Sequence, residues 1–128
     1  MYEPIMEIDE YGTKLWYLNV RLHREDGPAV EWPDGSKFWW FNGLRHREDG
    51  PAIEYANGSK FWCINGVRHR EDGPAVEYTD GSKEWWFNGH CHREDGPAVE
   101  SADGGEEWWI NDTQYSKEEY RLLMFFGK

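Results

Sequence analysis

A string of 23 residues recurs in tandem, and this repetition restricts the fold more than any other feature of the chain. HREDGPAVEWPDGSKFWWFNGLR starts at His23, HREDGPAIEYANGSKFWCINGVR at His46, HREDGPAVEYTDGSKEWWFNGHC at His69 and HREDGPAVESADGGEEWWINDTQ at His92. A unit this short cannot bury its apolar face alone, so copies must stack and both ends need caps. YGTKLWYLNVRL, from Tyr11, reads as the second half of a degraded leading copy. The chain therefore divides into an N-terminal cap (1–10), a β-repeat domain (11–114) and a C-terminal helical cap (115–128). The repeat domain comprises a partial unit, 11–22, and full units 23–45, 46–68, 69–91 and 92–114.

Each unit carries two hairpin signals. Asp34-Gly35 recurs as Asn57-Gly58, Asp80-Gly81 and Asp103-Gly104, and Asn42-Gly43 recurs as Asn65-Gly66 and Asn88-Gly89. Such pairs supply the positive φ angles of a two-residue type I′ turn. Asp26-Gly27-Pro28 breaks the chain in every full unit, and proline belongs at a strand start or a sheet edge. The first full unit thus predicts strands 29–33, 36–41 and 44–47. The fold class is all-β: stacked antiparallel β-hairpin repeats in an elongated meander, with a short C-terminal capping helix. That helix is predicted over 117–126, because Ser116-Lys117-Glu118-Glu119 is a capping box and Tyr115 with Tyr120 is placed as a hydrophobic staple. Tyr2, Ile5, Met6 and Ile8 are expected to form an irregular cap at the other end.

If Asp34-Gly35 is a two-residue loop, Val30 lies opposite Trp39 and Glu31 opposite Phe38. Through Asn42-Gly43, Trp39 then faces His46 and Trp40 faces Arg45. Comparing copies sorts the two faces. Trp16, Trp39, Trp62, Trp85 and Trp108, with Leu18, Phe41, Ile64, Phe87 and Ile110, are always large and apolar, with Val30, Ile53, Val76 and Val99 opposite, so this face is expected to be the core. The second face reads Leu15, Phe38, Phe61, Glu84, Glu107 and Tyr17, Trp40, Cys63, Trp86, Trp109, changing from aromatic to acidic. It is either a solvated binding surface or a second core under a folded-over or dimeric sheet. Arg45 is placed to stack over Trp40.

Charge and composition narrow the function. The chain carries 25 Asp+Glu against 14 Lys+Arg, a net charge of −11, yet 17 % of its residues are aromatic. That aromatic content separates it from disordered acidic chains. The charge disfavours direct nucleic-acid binding and anionic membranes, and leaves a basic protein surface as the complementary partner. Units three and four carry −3 and −6, so the negative charge gathers late in the chain. No apolar run approaches the roughly 20 residues of a membrane span. The start lacks the order of a signal peptide, and the two cysteines, Cys63 and Cys91, suggest no disulfide framework. A cytoplasmic protein is expected.

His-Arg-Glu-Asp-Gly-Pro offers a base, a cation and two carboxylates, but an active site needs one such constellation and this one recurs in every full unit. It reads as a polar staple whose side chains satisfy backbone groups at each corner, with a repeated ligand site as the alternative. His90-Cys91-His92 lacks the second ligand pair of a zinc site, so no metal is expected. No nucleophile elbow, P-loop or dinucleotide fingerprint is present. No cofactor and no catalysis are expected.

The string NG-x-x-HRxDGPA-x-E-x-x-DGS-x-x-WW-x-NG resembles the MORN-repeat variants of bacterial and phage proteins, antitoxin-like ones included, over residues 11–114. The resemblance implies stacked β-hairpins and a protein-interaction role without catalysis. It further implies an acidic inhibitor of a bacterial defence protein, in the host-cell cytoplasm if phage-encoded. HREDGPA stands where the ordinary pattern has a His-Gly pair, which weighs against lipid binding. The candidate contact residues are Trp86, Trp109, Glu84 and Glu107, then Trp40, Phe38 and Phe61, because aromatic anchors dominate interfaces and charge sets approach. Two other readings compete: a nucleotide-sequestering protein with Arg45, Arg47 and Arg68 on the phosphates, and a nucleic-acid mimic. A homodimer is compatible with either use of the second face.

Overall fold

The computed structural model describes residues 3–126; Tyr2, expected in the cap, lies outside them. The chain is antiparallel β throughout, with one helix at Lys117–Phe126. It divides into two compact units, residues 3–67 and 68–126.

In residues 3–67 the strands run across the sheet in the order Ile5–Ile8, Lys14–Leu18, Val30–Glu31, Lys37–Phe38, Ile53–Glu54 and Lys60–Phe61. The strand Ile5–Ile8 pairs residue for residue with Lys14–Tyr17, so the expected irregular cap is a regular edge strand. Its turn has the backbone pattern of the later ones: the Asp9 amide donates to the Thr13 carbonyl at 3.0 Å, the Gly12 amide to the Asp9 carbonyl at 3.1 Å, and Gly12 takes φ +89°. The leading copy is therefore a whole hairpin. In residues 68–126 the order is Val76–Glu77, Lys83–Glu84, Val99–Glu100, Glu106–Ile110 and Thr113–Tyr115.

The two hairpin signals fold differently. Asn42 and Gly43 both take positive φ, 50° and 78°, which is the type I′ turn, and Trp40 pairs with Arg45 as expected. At the other signal Gly35 alone is left-handed, at φ +95°. Its amide donates to the Trp32 carbonyl at 3.0 Å, and the Trp32 amide donates to the Ser36 carbonyl at 2.9 Å. This is a type I turn closed by a glycine bulge over Pro33-Asp34-Gly35, a three-residue loop. Pro33 fixes φ near −65° for the first turn position, and the Asp34 carboxylate accepts the Ser36 amide at 2.8 Å.

One extra loop residue slips the register, and a one-residue slip exchanges the faces. Val30 pairs with Phe38 rather than Trp39, and Glu31 pairs with Lys37. The row Leu15, Val30, Phe38, Ile53, Phe61 runs across one face, and Lys14, Glu31, Lys37, Glu54, Lys60 runs across the other. Alternating Lys and Glu in directly opposed positions is a favourable cross-strand ladder. The expectation that the Trp39 column forms the core is thereby corrected. The fully buried groups are small: Ala29, Val30, Ala52 and Ile53 in one unit, Ala75, Val76 and Ala98 in the other. Trp39 and Trp40 are both half-buried, so no Trp column is inward at its neighbour's expense.

The helix obeys its sequence signals. Ser116 and Glu119 exchange reciprocal hydrogen bonds, with the Glu119 amide donating to Ser116 Oγ at 3.1 Å and the Ser116 amide to Glu119 Oε1 at 2.9 Å. Tyr120 is buried; its hydroxyl donates to the Arg93 carbonyl at 2.5 Å and accepts the Gly96 amide at 3.2 Å. The helix thus lids the last corner of the repeat.

Candidate functional site

Every His-Arg-Glu-Asp-Gly corner is built alike. The histidine Nδ1 accepts the amide of the asparagine that opens the next type I′ turn: His23 from Asn42 and His46 from Asn65 at 2.9 Å, His69 from Asn88 at 2.8 Å, His92 from Asn111 at 3.1 Å. That bond leaves the ring proton on Nε2, facing a glutamate two residues on, as with His46 and Glu48 at 3.2 Å. The arginine is tied at two of its three nitrogens. Arg47 Nε donates to Asp49 at 3.0 Å, and its Nη1 donates to the Pro51 carbonyl and Glu54, both at 3.1 Å. Its guanidinium lies 3.9 Å from the Trp39 ring centre. Arg24, Arg70 and Arg93 repeat the hydrogen bonds. The corners are polar staples: they position backbone and flatten a tryptophan.

The predicted contact residues fall into two groups. Trp86 and Trp109 are half-buried, and their indole N–H groups donate to Glu84 and Glu107 at 2.9 Å each. The change from Phe to Glu along this column therefore supplies an acceptor to the tryptophan two residues later. Trp40, whose column partner is Phe38, has its Nε1 buried with no partner among the described residues. Glu84 also takes the Tyr78 hydroxyl at 3.4 Å and lies 3.7 Å from Arg68. Burial, and next the Glu84 charge, push the Tyr78 hydroxyl above its ordinary pKa. Arg45 lies over Trp40 at 5.6 Å, as expected, and Arg68 lies over Trp86 at 5.1 Å.

Phe38 and Phe61 belong to a different arrangement. Trp32, Phe38, Tyr55 and Phe61 form a continuous row with centroid distances of 6.0, 5.6 and 5.6 Å, each pair edge to face. Trp32 is 45 % exposed and Tyr55 39 %. Sequence reasoning missed these two because the two-residue loop pairs the strands one residue out of register and so sets Val30 and Trp32 against the Trp39 column instead of against Phe38. The signal was present: the residue two before the first hairpin pair of each full unit (Asp34-Gly35, Asn57-Gly58, Asp80-Gly81, Asp103-Gly104) reads Trp32, Tyr55, Tyr78, Ser101.

Of the alternative ligand residues, Arg47 is bonded within its corner through Nε and Nη1, whereas Arg45 is exposed. In the His90-Cys91-His92 string, His90 Nδ1 pairs with Asp112 at 2.6 Å and His92 is the corner staple. The His90 bond, and then the Cys91 amide, hold the Asp112 carboxyl below its ordinary pKa. Cys91 is buried, and no cluster of three metal-ligating side chains occurs among the described residues. No helix among them is long and apolar enough to cross a membrane. No protein-family model matches the chain, and no curated protein matches it.

Proposed function

We propose that the chain is a non-enzymatic binding protein that docks on a protein partner with a basic surface and blocks it. The observation that carries this reading is the aromatic row Trp32–Phe38–Tyr55–Phe61, which keeps large rings half in solvent although Val30 and Ile53 in the same sheet are buried. Rigid amphipathic rings of this kind are the usual anchors of an interface. The net charge of −11 supplies the complementary field that speeds association with a basic partner. Phe38 and Phe61 keep the contact role expected of them. Trp86, Trp109, Glu84 and Glu107 are satisfied internally and serve the fold first. The resemblance to MORN-repeat variants supports an antitoxin-like blocker or an inhibitor of a bacterial defence protein.

The test is capture of a partner from a bacterial lysate, followed by assay of that partner's own activity. The reading expects stoichiometric inhibition and an affinity that falls as salt is raised. A nucleotide released from the heat-denatured chain, with no captured protein inhibited, would replace it with the sequestering reading.

A further inference from the structure

We propose that the groove between consecutive corners receives a protruding arginine or lysine side chain of the protein partner. The proposal rests on the protein-binding reading for the existence of a partner, but its site is separate from the aromatic row. In residues 3–67 a groove of about 700 Å³ lies between the corner at 24–28 and the corner at 46–49, floored by Trp39 and Phe41. In residues 68–126 a groove of about 730 Å³ repeats it between 70–73 and 92–95, with Phe87 in the place of Phe41. Each is larger than one side chain and admits a side chain with its flanking backbone.

Floor and walls point independently to a cation. Phe41 packs on the His23 ring at 4.4 Å, with the His46 ring at 6.0 Å, and stays 40 % exposed; Phe87 packs on His69 at 4.6 Å, with His92 at 6.4 Å, and stays 43 % exposed. The exposed part of such a fixed ring attracts a guanidinium or ammonium group. At the walls, Glu25 and Glu48 are exposed and meet histidine Nε2 atoms at 3.7 and 3.2 Å, so their carboxylates retain accepting capacity. Glu71 and Glu94 stand likewise in the second groove, at 3.6 and 3.0 Å. The cations lining each groove are the corner arginines, already paired with carboxylates and a carbonyl. An entering phosphate would therefore meet carboxylates. An entering arginine finds a π-face below and free carboxylate oxygens beside it.

The test uses the full chain, a short blocked peptide bearing arginine, and the same peptide with citrulline in place of arginine. Each is titrated at low salt into the unaltered chain, into Glu25→Gln/Glu48→Gln/Glu71→Gln/Glu94→Gln, and into Glu7→Gln/Glu10→Gln/Glu106→Gln/Glu118→Gln, which removes the same charge from exposed positions elsewhere. The expected result is about tenfold weaker arginine-peptide binding in the groove variant and less than about twofold in the other. The citrulline peptide should not bind, and the Phe41 and Phe87 ring protons should shift on titration. Equal losses in both variants, shifts at Trp32 and Tyr55 with Phe41 and Phe87 silent, or no binding of the arginine peptide would each overturn the proposal. If the grooves fail while a captured partner still depends on Trp32 and Tyr55, the protein-binding reading stands without them.

Discussion

Replacing His23 by alanine isolates the corner staple from everything else the repeat does. The ring is 3 % exposed, accepts the Asn42 amide at 2.9 Å and lies 4.4 Å from Phe41. Its loss strands a part-buried N–H, worth about 1–3 kcal/mol. The emptied space beside Phe41 adds about 1–2 kcal/mol, since the neighbours relax only in part. Asn42 is also the residue held at φ +50°, so the turn loses its outside support. The sum is about 2–5 kcal/mol, or a melting midpoint roughly 8–20 °C lower for a chain of this length. Urea denaturation followed by tryptophan fluorescence, with no partner present, measures it. His69→Ala, at a more exposed corner, should cost about half as much. His23→Ala within about 0.5 kcal/mol of the unaltered chain, at an unchanged denaturant slope, would refute the staple.

Three further outcomes follow from particular residues. Val20 holds φ +60° at 95 % exposure where the first three full copies have Gly43, Gly66 and Gly89; Val20→Gly should stabilise by about 1–2 kcal/mol in the same urea assay. Glu84→Ala removes the acceptor of the Trp86 indole and should cost about 1–2 kcal/mol, against less than about 0.5 for exposed Glu106→Ala, by calorimetric melting. Burial above all, then the Glu84 and Asp112 charges, push the Cys91 thiol up to about 12, so alkylation of Cys91 at pH 8 should run roughly 1,000-fold slower in the folded chain than in urea. Because the folded thiol keeps its proton beyond the ordinary thiol value of 9.0, its contribution to stability is intact below pH 9 and is lost as pH rises toward 12. A melting midpoint flat across that window would contradict the assignment.

The turns show what a sequence of this kind discloses and what it conceals. Asn42-Gly43 declares its geometry because both residues tolerate positive φ and the loop has no other option. Asp34-Gly35 is ambiguous: the same pair fits a two-residue turn or the last two positions of a bulged three-residue one. Pro33, whose fixed φ suits the first position of a type I turn, favours the second in the first copy, and Ala56, Thr79 and Ala102 stand in the same bulged turn without it. The length of this loop decides which rings share a face with Val30. The helix and its capping box were legible because their signals are local. The aromatic row was not, because it depends on register, and the indole–carboxylate bonds at Trp86 and Trp109 gave an apparent acidic contact surface a structural reason.

The most direct test of the docking account is the affinity of the captured partner for the Trp32→Ala/Tyr55→Ala chain. Trp32 is 45 % exposed and Tyr55 39 %, so the substitutions also remove covered ring surface and edge-to-face contacts and should cost about 2–4 kcal/mol of folding stability, measured first by urea denaturation. If the aromatic row is the anchor, affinity should fall about 100-fold or more. An affinity within about twofold of the unaltered chain, measured on protein shown to be folded, would contradict it.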